Sequence, residues 1–287
     1  MEVRGFFDKE TFTITYVAFD PATKDAVIID PVLDYDSKSS TYTTQSVAKV
    51  VEFVKGAKLT PHYVLETHAH ADHLSGSQIF KQWFPKIKVA INEKILVVQN
   101  KFKDVFQIGD WFQPDGSQFD QLLKMEAEFS AGSLKFKTLP TPGHTPACSS
   151  FLGQGSVFTG DALFMPDFGT GRTDFPLGSA EELFDSIKNK LYTLPEETRV
   201  FVGHDYLPGG REVAWESTIG QEKRQNIHLN AETVRESYVQ FRTHRDKELS
   251  APKLLLPSVQ VNINAGHMPP PEKNGLSYLK IPIQKGE

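Results

Sequence analysis

Residues 67–73 read Thr67-His-Ala-His-Ala-Asp-His73, a stretch that places three histidines and one aspartate within six positions. The apolar run 63–65 before it is typical of a buried strand, and the stretch 74–84 after it has the pattern of a loop that enters a helix. If His68 and His70 continue the strand, side-chain alternation places both imidazoles on one side. Imidazole and carboxylate ligands without a thiolate suit Zn, Fe or Mn. The stretch therefore predicts a metal site at a strand end.

Three later residues of ligand type also stand close to the ends of predicted strands. Asp161 follows the apolar run 156–159 through a glycine, and His204 follows the run 199–202 in the same way. His144 lies after a predicted strand in the loop 140–146, which three prolines make stiff. Because ligands at the ends of several strands can meet at one rim of a fold, we predict that these residues converge with residues 67–73.

The composition of the 287-residue chain excludes several functional classes. A net charge of -5 leaves no basic excess to neutralise nucleic-acid phosphates. No apolar run approaches the roughly 20 residues that a membrane span needs. Residues 1–10 carry acidic side chains and resemble neither a secretory signal nor a transit peptide. The single cysteine, Cys148, cannot form an internal disulfide, which fits a reducing cytoplasm. We therefore expect a cytoplasmic protein, and the charge and hydropathy predict neither nucleic-acid nor membrane partners.

The order of the predicted elements indicates an α/β architecture. Valines at helical spacing predict a helix over residues 44–56, residues 31–40 are polar and predict a loop, and residues 230–249 predict a long charged helix. Both halves of the chain have the pattern of strands followed by helices. We therefore predict one domain over residues 1–287, built as a sandwich of two mixed sheets flanked by helices, with an extended Pro-rich tail from about residue 250.

Four motifs taken together resemble the metallo-β-lactamase superfamily. They are THAHADH at 67–73, TPGHT at 141–145, TGD at 159–161 and GHDY at 203–206. The resemblance runs from about residue 10 to about residue 230. It implies an αββα sandwich with the metal site at one edge.

Within this superfamily the chain is most similar to the persulfide dioxygenases, the group that contains the ethylmalonic encephalopathy protein. LETHAHADH at 65–73, GRTDFP at 171–176 and GHDYLPGGRE at 203–212 carry the similarity. The insert 30–43 and the segment 165–175 resemble the bacterial subgroup. The resemblance implies oxidation of glutathione persulfide by O₂ to sulfite and glutathione.

The dioxygenase pattern, carried over residue by residue, makes His68, His144 and Asp161 the ligands of one Fe(II) per chain. Two histidines and one carboxylate form the facial triad of non-haem iron oxygenases, which leaves positions open for substrate and O₂. The resemblance thus predicts a mononuclear iron site.

Glyoxalase II is the nearest relative with a different reaction, and it implies another use of the same residues. In its pattern His70 joins the first metal, while Asp72, His73 and His204 bind a second and Asp161 bridges the two. In the iron pattern the four residues outside the triad orient ligands and waters instead; they are His70, Asp72, His73 and His204. All seven residues are present, so the ligand set alone is compatible with one metal or two.

The resemblance also suggests substrate contacts and catalytic residues. Tyr206 stands two positions after His204, as the glutathione-contacting tyrosine does in glyoxalase II-like enzymes, although a core aromatic is the alternative. Arg172 is a candidate to bind a carboxylate of the tripeptide with its guanidinium fork or to support the metal loop; a salt bridge within its own loop is the alternative. We assign catalytic roles to Asp72 and Arg172.

Two other functions remain open at the level of sequence. The first is a dinuclear Zn(II) hydrolase of a glutathione thioester or a lactone, in which the metal activates water for attack. The second is a non-enzymatic metal-binding or redox-sensing protein, which seven ligand-type residues at strand ends disfavour because a sensor needs fewer. The sequence leaves the oligomeric state open, and a homodimer is one candidate.

Overall fold

The strands of the computed structural model, which describes residues 1–283, alternate with seven α-helices over the described range. The strands are β1 (Glu2–Phe7), β2 (Ile14–Phe19), β3 (Asp25–Ile29), β4 (Val32–Asp36), β5 (Thr41–Thr43), β6 (Thr60–Leu65), β7 (Leu74–Ser75), β8 (Lys88–Asn92), β9 (Gln121–Leu123), β10 (Glu128–Ala131), β11 (Leu134–Pro140), β12 (Ser149–Gly153), β13 (Ser156–Gly160), β14 (Arg199–Val202) and β15 (Glu216–Thr218). The helices are α1 (Gln45–Gly56), α2 (Ser77–Trp83), α3 (Ile95–Phe106), α4 (Ala180–Asn189), α5 (Ile219–Gln225), α6 (Arg235–Lys247) and α7 (Leu255–Asn262). No helix within residues 1–283 is long and apolar enough to cross a membrane.

Most of the strands form two six-stranded mixed sheets. The first sheet has the order β1-β2-β3-β6-β8-β9, and the second has the order β10-β11-β12-β13-β14-β15. In the first sheet β3, β6, β8 and β9 run parallel, and in the second β13 and β14 do. Parallel neighbours need a crossover connection, which α1, α2, α3 and α4 supply. β6, β13 and β14 each have a parallel neighbour, and the loops that follow these strands carry predicted ligand residues at the edge where the strands end.

Aromatic side chains fill the space between the two sheets. Tyr16 of the first sheet packs edge-on against Phe158 and Phe201 of the second, with ring centroids 5.4 and 5.5 Å apart. The Tyr16 hydroxyl donates a hydrogen bond of 2.6 Å to the carbonyl oxygen of Val202, so the buried phenol is satisfied. This interface fixes the end of β14 relative to the first sheet.

Helices cover the outer faces of both sheets and complete the sandwich. The valines of α1, at positions 47, 50, 51 and 54, are buried against the first sheet, as their spacing predicts. α2, α3 and α7 pack into the same cluster, whereas α4, α5 and α6 contribute buried side chains to the cluster on the second sheet. The predicted αββα architecture of two mixed sheets flanked by helices is therefore confirmed.

Three local predictions differ from the structure. Residues 31–40 contain β4, which pairs with β5 and β7 in a small three-stranded sheet, so the predicted loop is a hairpin. β6 ends at Leu65, before the His-rich stretch, so His68 and His70 do not continue the strand. The charged helix of residues 230–249 is confined to α6, Arg235–Lys247.

The prediction of an extended tail from about residue 250 is wrong for α7. Pro257 lies in the first turn of this helix, where its missing N–H has no intrahelical partner to lose. The helix buries both apolar and polar side chains on several sides, among them Val259 and Gln260, so it lacks the one-sided apolar stripe that reveals a helix in sequence.

Candidate metal centre

The loops that follow β6, β11, β13 and β14 bring the seven predicted ligand residues together at one rim of the sandwich. Three groups of side chains have ligand atoms within 4.8 Å of one another: His68, His144 and Asp161; His70, Asp72 and His73; and Asp30, Glu66 and His70. The seventh residue, His204, contacts both Asp161 and Asp72. The convergence predicted from strand ends is therefore observed.

The first group has the composition of a facial triad. His144 Nδ1 lies 2.7 Å from the carbonyl oxygen of Arg172, and because a carbonyl only accepts, Nδ1 must carry the hydrogen. This hydrogen bond leaves Nε2, which lies 3.6 Å from Asp161 Oδ2, free to bind a metal. His68 Nδ1 lies 3.0 Å from the Thr67 hydroxyl, so His68 also presents its Nε2.

The second group lies beside the first and is linked to it by His204. The Nε2 atom of His204 is 3.3 Å from Asp161 Oδ1 and 3.4 Å from Asp72 Oδ2. Asp72 Oδ2 is also 3.3 Å from His73 Nδ1. The Thr13 hydroxyl approaches Asp72, His73 and His204 at 3.4 Å each. These distances are therefore compatible with one metal or with two, as the ligand set implied.

Two buried carboxylates behind the second group were not among the predicted site residues. Asp30 accepts hydrogen bonds from the backbone and hydroxyl of Thr67 at 2.7 and 2.8 Å. Its Oδ1 is 3.0 Å from His70 Nε2, without the alignment of a regular hydrogen bond, and Glu66 Oε2 is 3.7 Å away. Asp30 follows the apolar strand β3 as Asp161 follows β13, so the strand-end signal was available in the sequence.

Burial and neighbouring charges set the protonation of the imidazoles. Burial and the neighbouring His70 lower the pKa of both His68 and His73, so these rings are neutral, as a metal ligand must be. Burial also lowers the pKa of His204, but Asp161 and Asp72 outweigh it and raise the pKa to about 10. His204 is therefore protonated on both ring nitrogens in the metal-free protein at neutral pH.

The unsatisfied atoms of the cluster fit a divalent cation. Within residues 1–283 several buried ligand atoms have no hydrogen-bond partner: His68 Nε2, His73 Nε2, His204 Nε2 and Asp161 Oδ1. A buried polar atom left unpaired costs about 1–3 kcal/mol, so a concentration of such atoms at one point requires compensation. A metal ion that accepts lone pairs from imidazole and carboxylate supplies it.

Glycine is required where two loops cross Asp161. A Cβ atom at position 171 would stand 1.9 Å from the carbonyl oxygen of Asp161. A Cβ atom at position 203 would stand 2.9 Å from Asp161 Oδ1. These contacts give a physical reason for the glycines that begin the GRTDF and GHDY motifs.

The two predicted substrate residues lie in different surroundings. Tyr206 is 38% exposed; its ring stacks on His204 with centroids 5.5 Å apart and packs at a tilt against Phe168 at 4.8 Å. Arg172 forms two 2.6 Å hydrogen bonds to Asp174 and one of 2.8 Å to the carbonyl oxygen of Ser250. The Arg172 side chain is thus engaged in a salt bridge within its own loop, while Tyr206 borders the predicted ligand His204.

A cleft of about 320 Å³ opens beside Asp72. Its walls come from the loop 8–11, the β4–β5 hairpin and the segment 253–254. This volume lies at the lower end of the range of small-molecule pockets, about 300–1,000 Å³. The hairpin inserted after β3 therefore shapes an entrance that reaches the rim of the metal centre.

Known proteins resemble this chain in both sequence and structure. Residues 13–204 match the family model of the metallo-beta-lactamase superfamily. The chain is 44% identical over 283 residues to Glyoxylase B2 of Dictyostelium discoideum, covering 98% of this chain and 97% of that protein. It is 32% identical over 272 residues to the mitochondrial persulfide dioxygenase ETHE1 of Bos taurus, covering 94% and 90%. The crystal structure of ETHE1 from Myxococcus xanthus is 34% identical and covers 93% of this chain and all of its own, with a TM-score of 0.73.

We expect His144→Ala to remove most of the bound metal, because His144 is common to the one-metal and two-metal ligand sets. Purified wild-type protein should carry close to one equivalent, measured by elemental analysis. His244→Ala is the matched control, because the His244 side chain is 80% exposed, on α6. Full metal retention in both His68→Ala and His144→Ala would show that the assignment is wrong.

Metal affinity should increase with pH if His204 is a ligand, as in the two-metal set, and should not depend on the His204 proton if only His68, His144 and Asp161 bind the metal. Because the pKa of His204 is about 10 in the metal-free protein, a metal that binds this imidazole must displace its proton. Raising the pH from 6 to 9 reduces that competition, and affinity should rise about tenfold per pH unit for each proton displaced. Competition with a chelator at each pH measures the slope, which should fall by one proton in His204→Ala. An affinity independent of pH in the wild type would show that His204 is not a ligand, as in the one-metal set.

Proposed function

Because the chain belongs to the metallo-beta-lactamase superfamily and has persulfide dioxygenases among its relatives, we propose that it is a mononuclear non-haem iron persulfide dioxygenase. The observation that carries the proposal is the grouping of His68, His144 and Asp161 as two imidazoles and one carboxylate at a buried point. The substrate would be glutathione persulfide. With O₂ and one water it would yield glutathione and sulfite, as the sulfur–sulfur bond breaks and the outer sulfur is oxidised.

The three residues of the triad would hold Fe(II), which supplies the redox chemistry that a reaction with O₂ requires. Neighbouring residues hold the two histidines of the triad in position. The Arg172 carbonyl holds His144, and the Thr67 hydroxyl adjoins His68. Phe175, whose ring centroid is 6.0 Å from that of His144, gives one side of the site an apolar wall. These contacts keep the ligand atoms directed at one point and limit the entry of water.

Tyr206 and Asp72 are the residues best placed to meet the substrate. Burial, Asp161 and Asp72 raise the pKa of Tyr206 well above its ordinary value, so its hydroxyl remains a hydrogen-bond donor. The pKa of Asp72 is instead lowered, because His204 and His73 outweigh the effect of burial. Asp72 is therefore a carboxylate that lines the cleft and would accept hydrogen bonds from a substrate.

Arg172 would act mainly by holding its own loop, whose backbone contacts His144. Because Asp174 and Ser250 occupy its guanidinium, the contacts favour support of the loop over direct binding of a substrate carboxylate. Its carbonyl oxygen, on the same residue, is the partner of His144. An intact salt bridge would thus preserve the orientation of that ligand.

A dinuclear Zn(II) hydrolase of a glutathione thioester or a lactone is the second candidate. The observation that favours it is the second group of ligand atoms, His70, Asp72 and His73, within 4.8 Å of one another. Similarity to Glyoxylase B2 adds to it. In that case the seven predicted ligand residues would hold two Zn(II) ions, which would supply an activated water for the hydrolysis. Cytoplasmic location and a homodimer remain predictions from sequence alone.

Tyr206→Phe should raise the KM for glutathione persulfide and leave the metal content nearly unchanged. Loss of a hydrogen bond to a bound substrate corresponds to about 0.5–1.5 kcal/mol, or roughly a two- to tenfold change. Initial rates in an oxygen electrode give KM and kcat. The matched control is Tyr278→Phe, an exposed tyrosine that does not line the cleft beside Asp72. An unchanged KM would remove Tyr206 from the substrate site.

The metal should decide the reaction. We expect protein that is stripped and reloaded anaerobically with Fe(II) to take up O₂ and release sulfite when glutathione persulfide is added. The Zn(II) form should do neither, although such sites generally bind Zn(II) more tightly than Fe(II). Activity of the Zn(II) form alone, as hydrolysis of a thioester or lactone, would establish the second candidate and exclude the dioxygenase. Metal binding without either activity would instead support a sensor.

A further inference from the structure

The side chain of Asn262, the last residue of α7, is buried against the loop that carries His70, Asp72 and His73. Its amide nitrogen donates to the carbonyl oxygens of His70 at 2.8 Å and His73 at 2.7 Å. Its amide oxygen accepts from the backbone N–H of Ser75 at 2.8 Å. A primary amide offers two donor hydrogens and one acceptor oxygen, so both hydrogens and the oxygen are used on this one loop.

We propose that Asn262 is a positioning residue of the metal centre, through which the C-terminal helix α7 sets the conformation of the ligand loop. Asn262 touches no ligand side chain in these contacts. It acts on the backbone of two residues whose imidazoles belong to the predicted ligand set. The family match ends at His204, so this contribution comes from a part of the chain outside that match.

The ligand loop needs such a partner because it lacks regular structure. β6 ends at Leu65 and β7 begins at Leu74, so neither sheet nor helix supplies partners to the carbonyl oxygens of His70 and His73. Buried carbonyl oxygens are nearly always hydrogen-bonded, and no water is needed here because one amide pairs with both. Without the amide, rotation of these peptides would move His70 and His73 relative to Asp161.

α7 is held in place by contacts that do not involve the ligand loop. The Ser77 hydroxyl donates to the carbonyl oxygen of Ala265 at 2.9 Å, and the Gln99 amide donates to that of Ile263 at 2.8 Å. Val259 and Ile263 are fully buried in the cluster on the first sheet. The helix is therefore a rigid support, and the Asn262 side chain can be removed without removing the other anchors.

A purely structural role, in which Asn262 only fastens α7, makes a different prediction from a positioning role. We would compare full-length Asn262→Ala with Ser77→Ala, which removes one anchor of α7 and leaves the hydrogen bonds to His70 and His73 intact. Each protein is stripped of metal and titrated with Co(II) against a chelator. The measurements are the Co(II) dissociation constant, the visible absorption of the bound Co(II), and the melting temperature of the metal-free chain.

Both variants should melt at a lower temperature than the wild type. Only Asn262→Ala should bind Co(II) more weakly, by about 10–100-fold, as is typical when the support of a ligand is removed. Its Co(II) absorption should also change, because the ligand geometry changes. The inference does not depend on the reaction, because His70 and His73 are ligands in the two-metal set and orient ligands and waters in the one-metal set, so it can fail while the proposed function stands.

A wild-type dissociation constant and spectrum in Asn262→Ala would overturn the proposal. Equal weakening in Ser77→Ala would also overturn it, because docking of α7 alone would then explain the effect. If Asn262→Ala does not fold, Asn262→Gln decides, since it keeps the amide but moves it by one methylene. A folded Asn262→Gln with weaker Co(II) binding and an altered spectrum supports the proposal. Failure of both to fold, while Ser77→Ala folds, would assign Asn262 to the fold and not to the metal centre.

Discussion

The metal centre depends on one buried carboxylate that faces several imidazoles. Asp161 is 7% exposed, and its two oxygens lie 3.3 Å from His204 and 3.6 Å from His144. Burial raises the pKa of this carboxyl, but His204, His68 and His144 outweigh it and keep it charged. An unpaired buried charge is very costly, so the loops of three strands must close around Asp161. The sandwich makes this possible because β13 and β14 are parallel neighbours and end side by side.

Much of this arrangement could be predicted from the sequence because its signals are local. His68, Asp161 and His204 each follow an apolar run within a few residues, and a rim of strand ends is a general property of such sheets. The valine spacing of α1 likewise depends only on the helix that contains it. The αββα layers followed from the alternation of these patterns and the resemblance. The ends of the strands and helices are harder to predict: β6 ends at Leu65 and does not include His68 and His70.

The parts that could not be predicted depend on distant contacts. Asn262 lies 192 positions from His70, and nothing near it in sequence indicates a metal loop as its partner. Thr13 reaches the centre only because β2 lies beside the end of β14, where the backbone N–H of Ile14 donates to Gly203. α7 lacks a one-sided apolar stripe because polar side chains such as Gln260 and Asn262 are buried and pair with residues far along the chain. Such pairs are set by tertiary packing, which leaves no periodic trace in the sequence.

The contacts behind the centre bear on how many metals it holds. The residue types alone do not identify the metal, because imidazole and carboxylate are ligands for Zn(II), Fe(II) and Mn(II). His70 differs from His68 in its surroundings. Burial lowers the pKa of His70, but Asp30 and Glu66 outweigh it and raise the pKa to about 9, whereas the pKa of His68 is lowered. The protonated ring of His70, close to the side chains of Asp30 and Glu66, loses its proton less readily than that of His68 does. A cation that needs His70 must therefore displace that proton, and one that needs only His68, His144 and Asp161 leaves it in place.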